Sequence, residues 1–177
     1  MSENDDQTNE TQAPEVGKVP AGAMPVTIHT QYVRDLSFEN PNAPASFRVG
    51  AGAPEMDVNI AMDARKLEDP EIENLYEVVL IVTATATRGE QVVFIAEMAY
   101  GVMVSIDKAV PEDQHHPILL IEIPRFAFPF CRQILSTTTS QGGYPPLLLN
   151  PVDFQALYIQ RFKEDLKDDL EANQTVN

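Results

Sequence analysis

The sequence predicts an α+β fold, a four-stranded antiparallel sheet followed by two C-terminal helices on one of its faces. Three observations lead there. Apolar residues alternate with polar ones in four stretches between Val26 and Val104, the period of a half-buried strand. Beyond Pro124 the apolar residues recur at helical spacing instead. And 177 residues, 44% of them hydrophobic, suffice to bury a real core.

The first strand begins at Val26. Val26, Ile28, Thr30, Tyr32, Leu36 and Phe38 define one face, and Thr27, His29, Gln31, Asp35, Ser37 and Glu39 the other. The pattern slips at Val33-Arg34, as a bulge requires. Asn40-Pro41-Asn42-Ala43-Pro44 then forbids a continuous ladder, and a loop is expected to Pro54, with RVGAGA as its flexible part and Gly50-Ala51-Gly52 as a hinge. Met56, Val58, Ile60 and Met62 alternate with Asp57, Asn59 and Asp63 in a second strand that ends before LEDPEIEN. Tyr76 to Thr87 reads as the third strand and Gln91 to Val104 as the fourth, paired as a hairpin across Arg88-Gly89.

A loop from Asp107 to Gln114 precedes the first helix, expected from near Pro124 to Gln141 with a break or kink at Pro129 and a stop at Gly142-Gly143. The run Ser136 to Ser140 reads as a small-residue face that another helix approaches. Tyr144-Pro145-Pro146-Leu147-Leu148-Leu149 is too rich in proline for a helix and too apolar for a plain surface loop, so something must cover or bind it. Asn150 as N-cap, Pro151 at the first helical position and Asp153 in the first turn open the second helix, striped by Phe154, Leu157, Tyr158, Phe162 and Leu166.

Charge divides the chain into three parts. With 12 Lys and Arg against 27 Asp and Glu, the net charge is -15. Residues 1–24 and 164–177 each carry -4, so about half of the acidity is expected on tails: a disordered N-terminal one at 1–24 and an acidic C-terminal one at 164–177, flanking a folded domain at 25–163. Such a balance leaves no basic stripe for wrapping nucleic acid. The longest aliphatic run, Val78 to Val82, is far short of the roughly 20 residues that span a bilayer, and MSENDDQTNE is no secretory signal, so a cytoplasmic chain is expected. The single cysteine, Cys131, agrees with a reducing compartment.

Catalytic signatures are weak. The sequence has no phosphate-cradling glycine loop, no paired metal-ligand cysteines and no nucleophile elbow. His115-His116 beside Glu112 and Asp113 form a conceivable metal set, but adjacent imidazoles rarely converge on one ion. Cys131 lies on the apolar helical pattern, which favours burial over catalysis. No catalytic residue, metal or cofactor is assigned, and an enzyme is disfavoured. Phe126, Phe128 and Phe130 crowd the first helix, and the second sheet face still carries Val79, Ile81, Val93 and Ile95, apolar surface of the kind that forms interfaces.

Four strings together carry a resemblance: Asp35-Leu36-Ser37-Phe38-Glu39-Asn40-Pro41-Asn42-Ala43-Pro44, Tyr76-Glu77-Val78-Val79-Leu80, Phe128-Pro129-Phe130 with Arg132, and Pro151-Val152-Asp153-Phe154-Gln155-Ala156-Leu157. Over roughly residues 25 to 162 the chain resembles the SecB family of protein-export chaperones. The resemblance implies a homotetramer, a dimer of dimers, that binds unfolded precursor polypeptides without ATP, keeps them translocation-competent and delivers them to the SecA motor. It assigns SecA docking to Asp35, Glu39, Ile95 and Glu97. It assigns the precursor-binding groove to Met56, Val58, Ile60, Tyr144, Pro146, Phe154 and Tyr158, between the second helix and the crossover loop, whose Arg48 to Ala53 stretch offers no aromatic. The alternative reading is a small-ligand-binding α+β protein or enzyme with a closed pocket between sheet and helices.

Overall fold

A computed structural model describes residues 25–48 and 52–162 of the chain. The expected tails at 1–24 and 164–177, Gly50 and Ala51 of the expected hinge, and Leu166 lie outside the described residues. The sheet comprises β1 (Val26–Glu39), β2 (Glu55–Lys66), β3 (Leu75–Arg88) and β4 (Gln91–Ile106), in spatial order β1-β4-β3-β2, every neighbour antiparallel. The first two strands thus lie on opposite edges of the sheet. This order was not readable from the strand patterns.

β1 carries two register shifts against β4, between Ile28 and Thr30 and between Val33 and Asp35. The second is the slip that the sequence pattern places at Val33-Arg34; the first leaves no mark on the alternation. The hairpin loop is Gly89-Glu90, one residue later than expected, with Arg88 paired to Gln91 and Gly89 at φ +60, the backbone a type II′ turn needs at its first loop position. In the β2 to β3 connection the Asp69 carboxylate accepts the N–H groups of Glu71 and Ile72 at 2.9 Å each, an Asx turn in place of further strand.

The helical part begins earlier than expected. A single turn, His115–Pro117, runs into a π-helical turn, Ile118–Glu122, and then into the α-helix Ile123–Gln141; together they form α1. Prolines 117 and 124 disguise the first two turns as loop. The π turn accommodates Pro124, because the Ile123 N–H reaches back to the Ile118 carbonyl and widens the helix where the proline ring would otherwise press on the preceding turn. At Pro129 the helix does not break but continues, with one donor missing. Its end is a Schellman motif: Gly143, at φ +89, donates to the Ser140 carbonyl at 3.1 Å and Tyr144 to that of Thr139 at 3.1 Å.

Residues 144–153 then run without helix, and residues 154–162 are helical, forming α2. Asp153, not Asn150, is the N-cap: its carboxylate accepts the Ala156 N–H at 3.0 Å, and its carbonyl accepts that of Leu157 at 3.1 Å. The expected helix-on-helix contact at Ser136 to Ser140 is replaced by a loop contact. Of that run Thr139 is buried, and its hydroxyl accepts the Leu147 N–H at 2.9 Å.

One face of the sheet makes the core. Val78, Leu80, Val82 and Ala84 of β3 lie opposite Val102, Tyr100, Met98 and Ala96 of β4, under Ile123, Ala127, Phe128, Cys131 and Leu135 of α1 and Phe154 of α2. Burying each large apolar side chain stabilises the fold by about 1.5–3 kcal/mol. On the other face the expected apolar surplus is smaller than the sequence suggests. Ile81 is 39% exposed, but Val79 and Val93 are buried. Val79 lies opposite Gly101, over which the Tyr32 ring packs, and Val93 sits at a register shift beneath the crossover, where Asn42 Nδ2 donates to the Val92 carbonyl at 2.8 Å.

Candidate functional site

On the helix-bearing side, an apolar pocket of about 420 Å³ opens beside β2 and the 144–149 segment. Tyr144 is its fixed point. Its hydroxyl lies within hydrogen-bonding distance of Asn40 Oδ1 (2.8 Å), Ser46 Oγ (2.9 Å) and the Val93 carbonyl (3.2 Å), and Ser46 Oγ itself donates to Asn40 Oδ1 at 3.1 Å. The Tyr144 ring stacks on Phe47 at 4.9 Å between centroids and meets Phe94 at the same distance. Gly142 is required beneath this cluster, since a Cβ there would lie 2.3 Å from Phe38 Cζ. The polar end of Tyr144 is therefore satisfied inside while its ring remains on the pocket wall.

Three of the seven expected groove residues, Met56, Tyr144 and Pro146, line this pocket, with Leu147 and Leu148 beside them. The lining reaches solvent: Met56 is 38% and Leu148 65% exposed. Ile60 lines a second cavity of about 440 Å³, with Met62, Leu157 and Arg161, where the Arg161 guanidinium donates to the Met62 carbonyl and ties α2 to the edge strand. Val58 is exposed on β2 between Met56 and Ile60. Two expected residues fall elsewhere. Phe154 is 1% exposed, with its ring edge-on to Phe128 at 5.7 Å, so it belongs to the core and does not line the pocket. Tyr158 turns toward α1, where its hydroxyl pairs with His116 Nδ1 at 2.8 Å and its ring meets Phe162 at 5.0 Å; burial pushes its pKa up. The apolar stripe of a short amphipathic helix has a core side and a groove side, and sequence spacing alone does not separate them.

Sequence reasoning also missed Phe47, Phe94 and Arg88. Phe47 lies one residue before the Arg48 to Ala53 stretch, which has no aromatic. Phe94 sits on the alternating face of β4, but its place under Tyr144 depends on a contact 50 residues away. Arg88 reads as a turn residue and lines the pocket. A third concavity, of about 560 Å³ at the far end of the sheet, is a different environment, with Glu71, Glu73 and Asp107 in its wall.

The opposite face is open and carries carboxylates. Pairing of Ser37 with Glu97, Glu39 with Ile95 and Asp35 with Ala99 sets all four expected docking residues on the face away from α1, on two adjacent strands. At the other end of that face sits a group the sequence reading passed over. Glu77, 4% exposed, accepts hydrogen bonds from the Tyr32 hydroxyl and from Arg65 Nε at 2.5 Å, with Arg34 at 3.6 Å. The Tyr32 hydrogen bond, aided by the two guanidinium groups, holds the Glu77 carboxyl below its ordinary range, and the same bond raises the Tyr32 pKa.

The adjacent histidines point apart. His115 Nε2 donates to the Val110 carbonyl at 3.1 Å, leaving Nδ1 to accept the Tyr76 hydroxyl at 2.9 Å, whereas His116 faces Tyr158. Cys131 is fully buried under the sheet, and desolvation pushes its thiol up to about 12.

Fold and geometry define an α+β protein that offers an open apolar pocket on one side of its sheet and a carboxylate-bearing face on the other. Comparison with known proteins gives the family. The model of the family described as preprotein translocase subunit SecB matches residues 21–165. The chain is 45% identical over 149 residues to the protein-export protein SecB of Caulobacter sp. (strain K31), covering 84% of this chain and 87% of that one. It is 47% identical over 138 residues to the corresponding protein of Maricaulis maris (78% and 77%) and 44% identical over 138 residues to that of Rhodospirillum centenum (78% and 80%). A solved SecB-like chaperone from Mycobacterium tuberculosis, in complex with a peptide from an antitoxin, shares the fold with a TM-score of 0.58 at 15% identity, over 72% of this chain and 90% of that one. The chain belongs to the SecB family of protein-export chaperones. Among the described residues, no helix is long and apolar enough to cross a membrane.

Proposed function

We propose that this chain works in the cytoplasm as an ATP-independent holdase, which binds unfolded precursor polypeptides, keeps them translocation-competent and hands them to SecA. The observation that carries the reading is the open pocket around Met56, Tyr144 and Pro146, continued along β2 by Val58 and Ile60. An extended apolar segment fits such a trough, and methionine with aromatic walls suits clients of varied sequence. Each anchored side chain contributes about 1.5–3 kcal/mol when fully buried, so a few in series hold a chain without closure around it. Solvent access to Leu148 and Met56 favours this reading over a closed small-ligand site.

The acidic face with Asp35, Glu39, Ile95 and Glu97 is the proposed SecA contact: carboxylates around an aliphatic residue steer a basic partner quickly and in a salt-dependent way. A homotetramer built as a dimer of dimers is proposed with it, supported by the apolar rings left exposed on α1, Phe126 and Phe130. The test is refolding of a slow-folding precursor without nucleotide. Excess protein is expected to retard it, and Met56→Asp to relieve that retardation. Unchanged refolding in the presence of excess wild-type protein would refute the reading.

A further inference from the structure

Ile81 lies on the open face of the interior strand β3 and is 39% exposed. It pairs with Ala61 of β2 and Ala99 of β4, and Ala99 pairs in turn with Asp35 of β1, so these four residues form one row across the sheet. Neither alanine reaches past its Cβ, which leaves the Ile81 side chain without lateral packing. A single exposed aliphatic needs no explanation; the setting of this one does. Strand propensity does not demand it, since Thr83 and Thr85 serve the same face of β3 with a polar tip. Glu97 opposes Thr83, which makes it diagonal to Ile81 and about 7–8 Å away, and Ile95 opposes Thr85 two residues further on. The two isoleucines thus stand about 14 Å apart by strand rise and spacing, with Glu97 between them. On the other flank Asp63, opposite Val79, is the second diagonal neighbour of Ile81. The guanidinium groups of Arg34 and Arg65 are drawn to Glu77, and none of Asp35, Asp63 and Glu97 has an ion-pair partner among the described residues.

We infer that Ile81 is a second apolar anchor of the docking face, meeting an apolar side chain of a basic partner about 14 Å from the one that meets Ile95. The inference rests on the proposal that this face contacts SecA, and it carries that contact from β1 and β4 across onto β3. Charge selects the occupant: unpaired carboxylates at Asp35, Asp63 and Glu97 around the isoleucines favour a basic partner over a second copy of a chain of net charge -15. The arrangement, apolar side chains ringed by charge, is that of an interface core within a polar rim. The two kinds of group then act at different ranges. The carboxylates steer the encounter from a distance and are screened by salt. Ile81 acts only in contact, through burial that ionic strength affects little.

The experiment titrates SecA with the full-length wild-type protein and with Ile81→Ala, Ile81→Leu and Glu97→Lys, at low and at high salt. Ile81→Ala should weaken binding about tenfold, by a similar factor at both salt concentrations, whereas Glu97→Lys should lose most at low salt. Ile81→Leu retains the apolar volume and should recover most of the affinity. Precursor binding and oligomer mass should be the same in all four proteins, which shows that the variants are folded and assembled. Wild-type SecA affinity of Ile81→Ala, with Glu97→Lys impaired, overturns the role of Ile81 and leaves the SecA reading of the face standing. Wild-type affinity of both variants overturns that reading and the inference with it. Loss of precursor binding by Ile81→Ala would give this face to client chain, and a lower oligomer mass would give it to a second copy; either result overturns the inference.

Discussion

The two faces of the sheet are made from alternate residues of the same strands, yet they are built on different physics. The face under α1 is continuous hydrocarbon, where Leu80, Val82 and Met98 meet Phe128, Cys131 and Leu135 with little but van der Waals contact and exclusion of water. The open face mixes carboxylates with scattered aliphatics, and at one end closes over an ionic cluster in which Glu77 gathers Tyr32, Arg34 and Arg65. Period two separates a dry surface from one that is partly open to water. A one-residue register slip would exchange them, which explains why β3 and β4, holding both faces, pair along nearly their whole length.

The contrast is most sharply tested by truncating neighbours that point opposite ways. Leu80→Ala, in the core, should cost about 2–5 kcal/mol of unfolding free energy in denaturant titration. Ile81→Ala, one residue on and facing out, should cost under about 1 kcal/mol. Equal losses would mean that the second face is also core in solution.

Next in size is the ionic cluster. Glu77→Gln removes the charge but retains the shape and should destabilise by about 1–2 kcal/mol, moderated because Arg34 and Arg65 are themselves half-exposed. Its pH signature has a definite sign. A carboxyl whose folded pKa is depressed contributes stability that is present above its ordinary value of 4.5 and is lost as pH falls through the lower folded value. Unfolding free energy of the wild type should therefore decline more steeply below about pH 4.5 than that of Glu77→Gln, and parallel curves would remove Glu77 as a cause.

Cys131 reports on the dry face without perturbing it. With its thiol pushed up to about 12 and the side chain buried, it should resist alkylation at pH 8 in the native protein and react at once in denaturant. Labelling at the rate of a free thiol under native conditions would contradict its burial. The smallest energetic effect is expected on the open face: Glu97→Lys should weaken SecA binding several-fold at low salt, less at high salt, and leave precursor affinity and stability unaltered. Equal SecA binding by both proteins would take Glu97 out of the contact.

Much of this contrast can be read from the sequence, and its gaps have physical causes. Alternation over Met56 to Asp63 identifies the two faces of β2 because a strand has only two, and the slip at Val33-Arg34 marks a bulge because it reverses such alternation in β1. The pairing that sets Asp35, Glu39, Ile95 and Glu97 on one face follows from strand order, which local patterns do not contain. The first turns of α1 were hidden by Pro117 and Pro124, since proline signals a break unless a π turn absorbs it. Phe154 and Tyr158 carry chemistry that suits groove and core alike, and the position of α2 decides where each lies. Glu77 is hidden for the opposite reason: a charged residue in an apolar strand reads as exposed until Tyr32, Arg34 and Arg65 converge on it from the two edge strands.

The anchoring of Tyr144 has a consequence for the order of events as the chain folds. Its hydroxyl is matched to partners 104, 98 and 51 residues away, so the wall of the pocket closes long loops. Such closures are entropically costly and come late, after the β3–β4 hairpin and its neighbours are in place. A nascent or partly folded copy thus lacks the trough proposed to hold client chain. On that proposal the protein acquires its affinity for unfolded polypeptide only once it has ceased to be one.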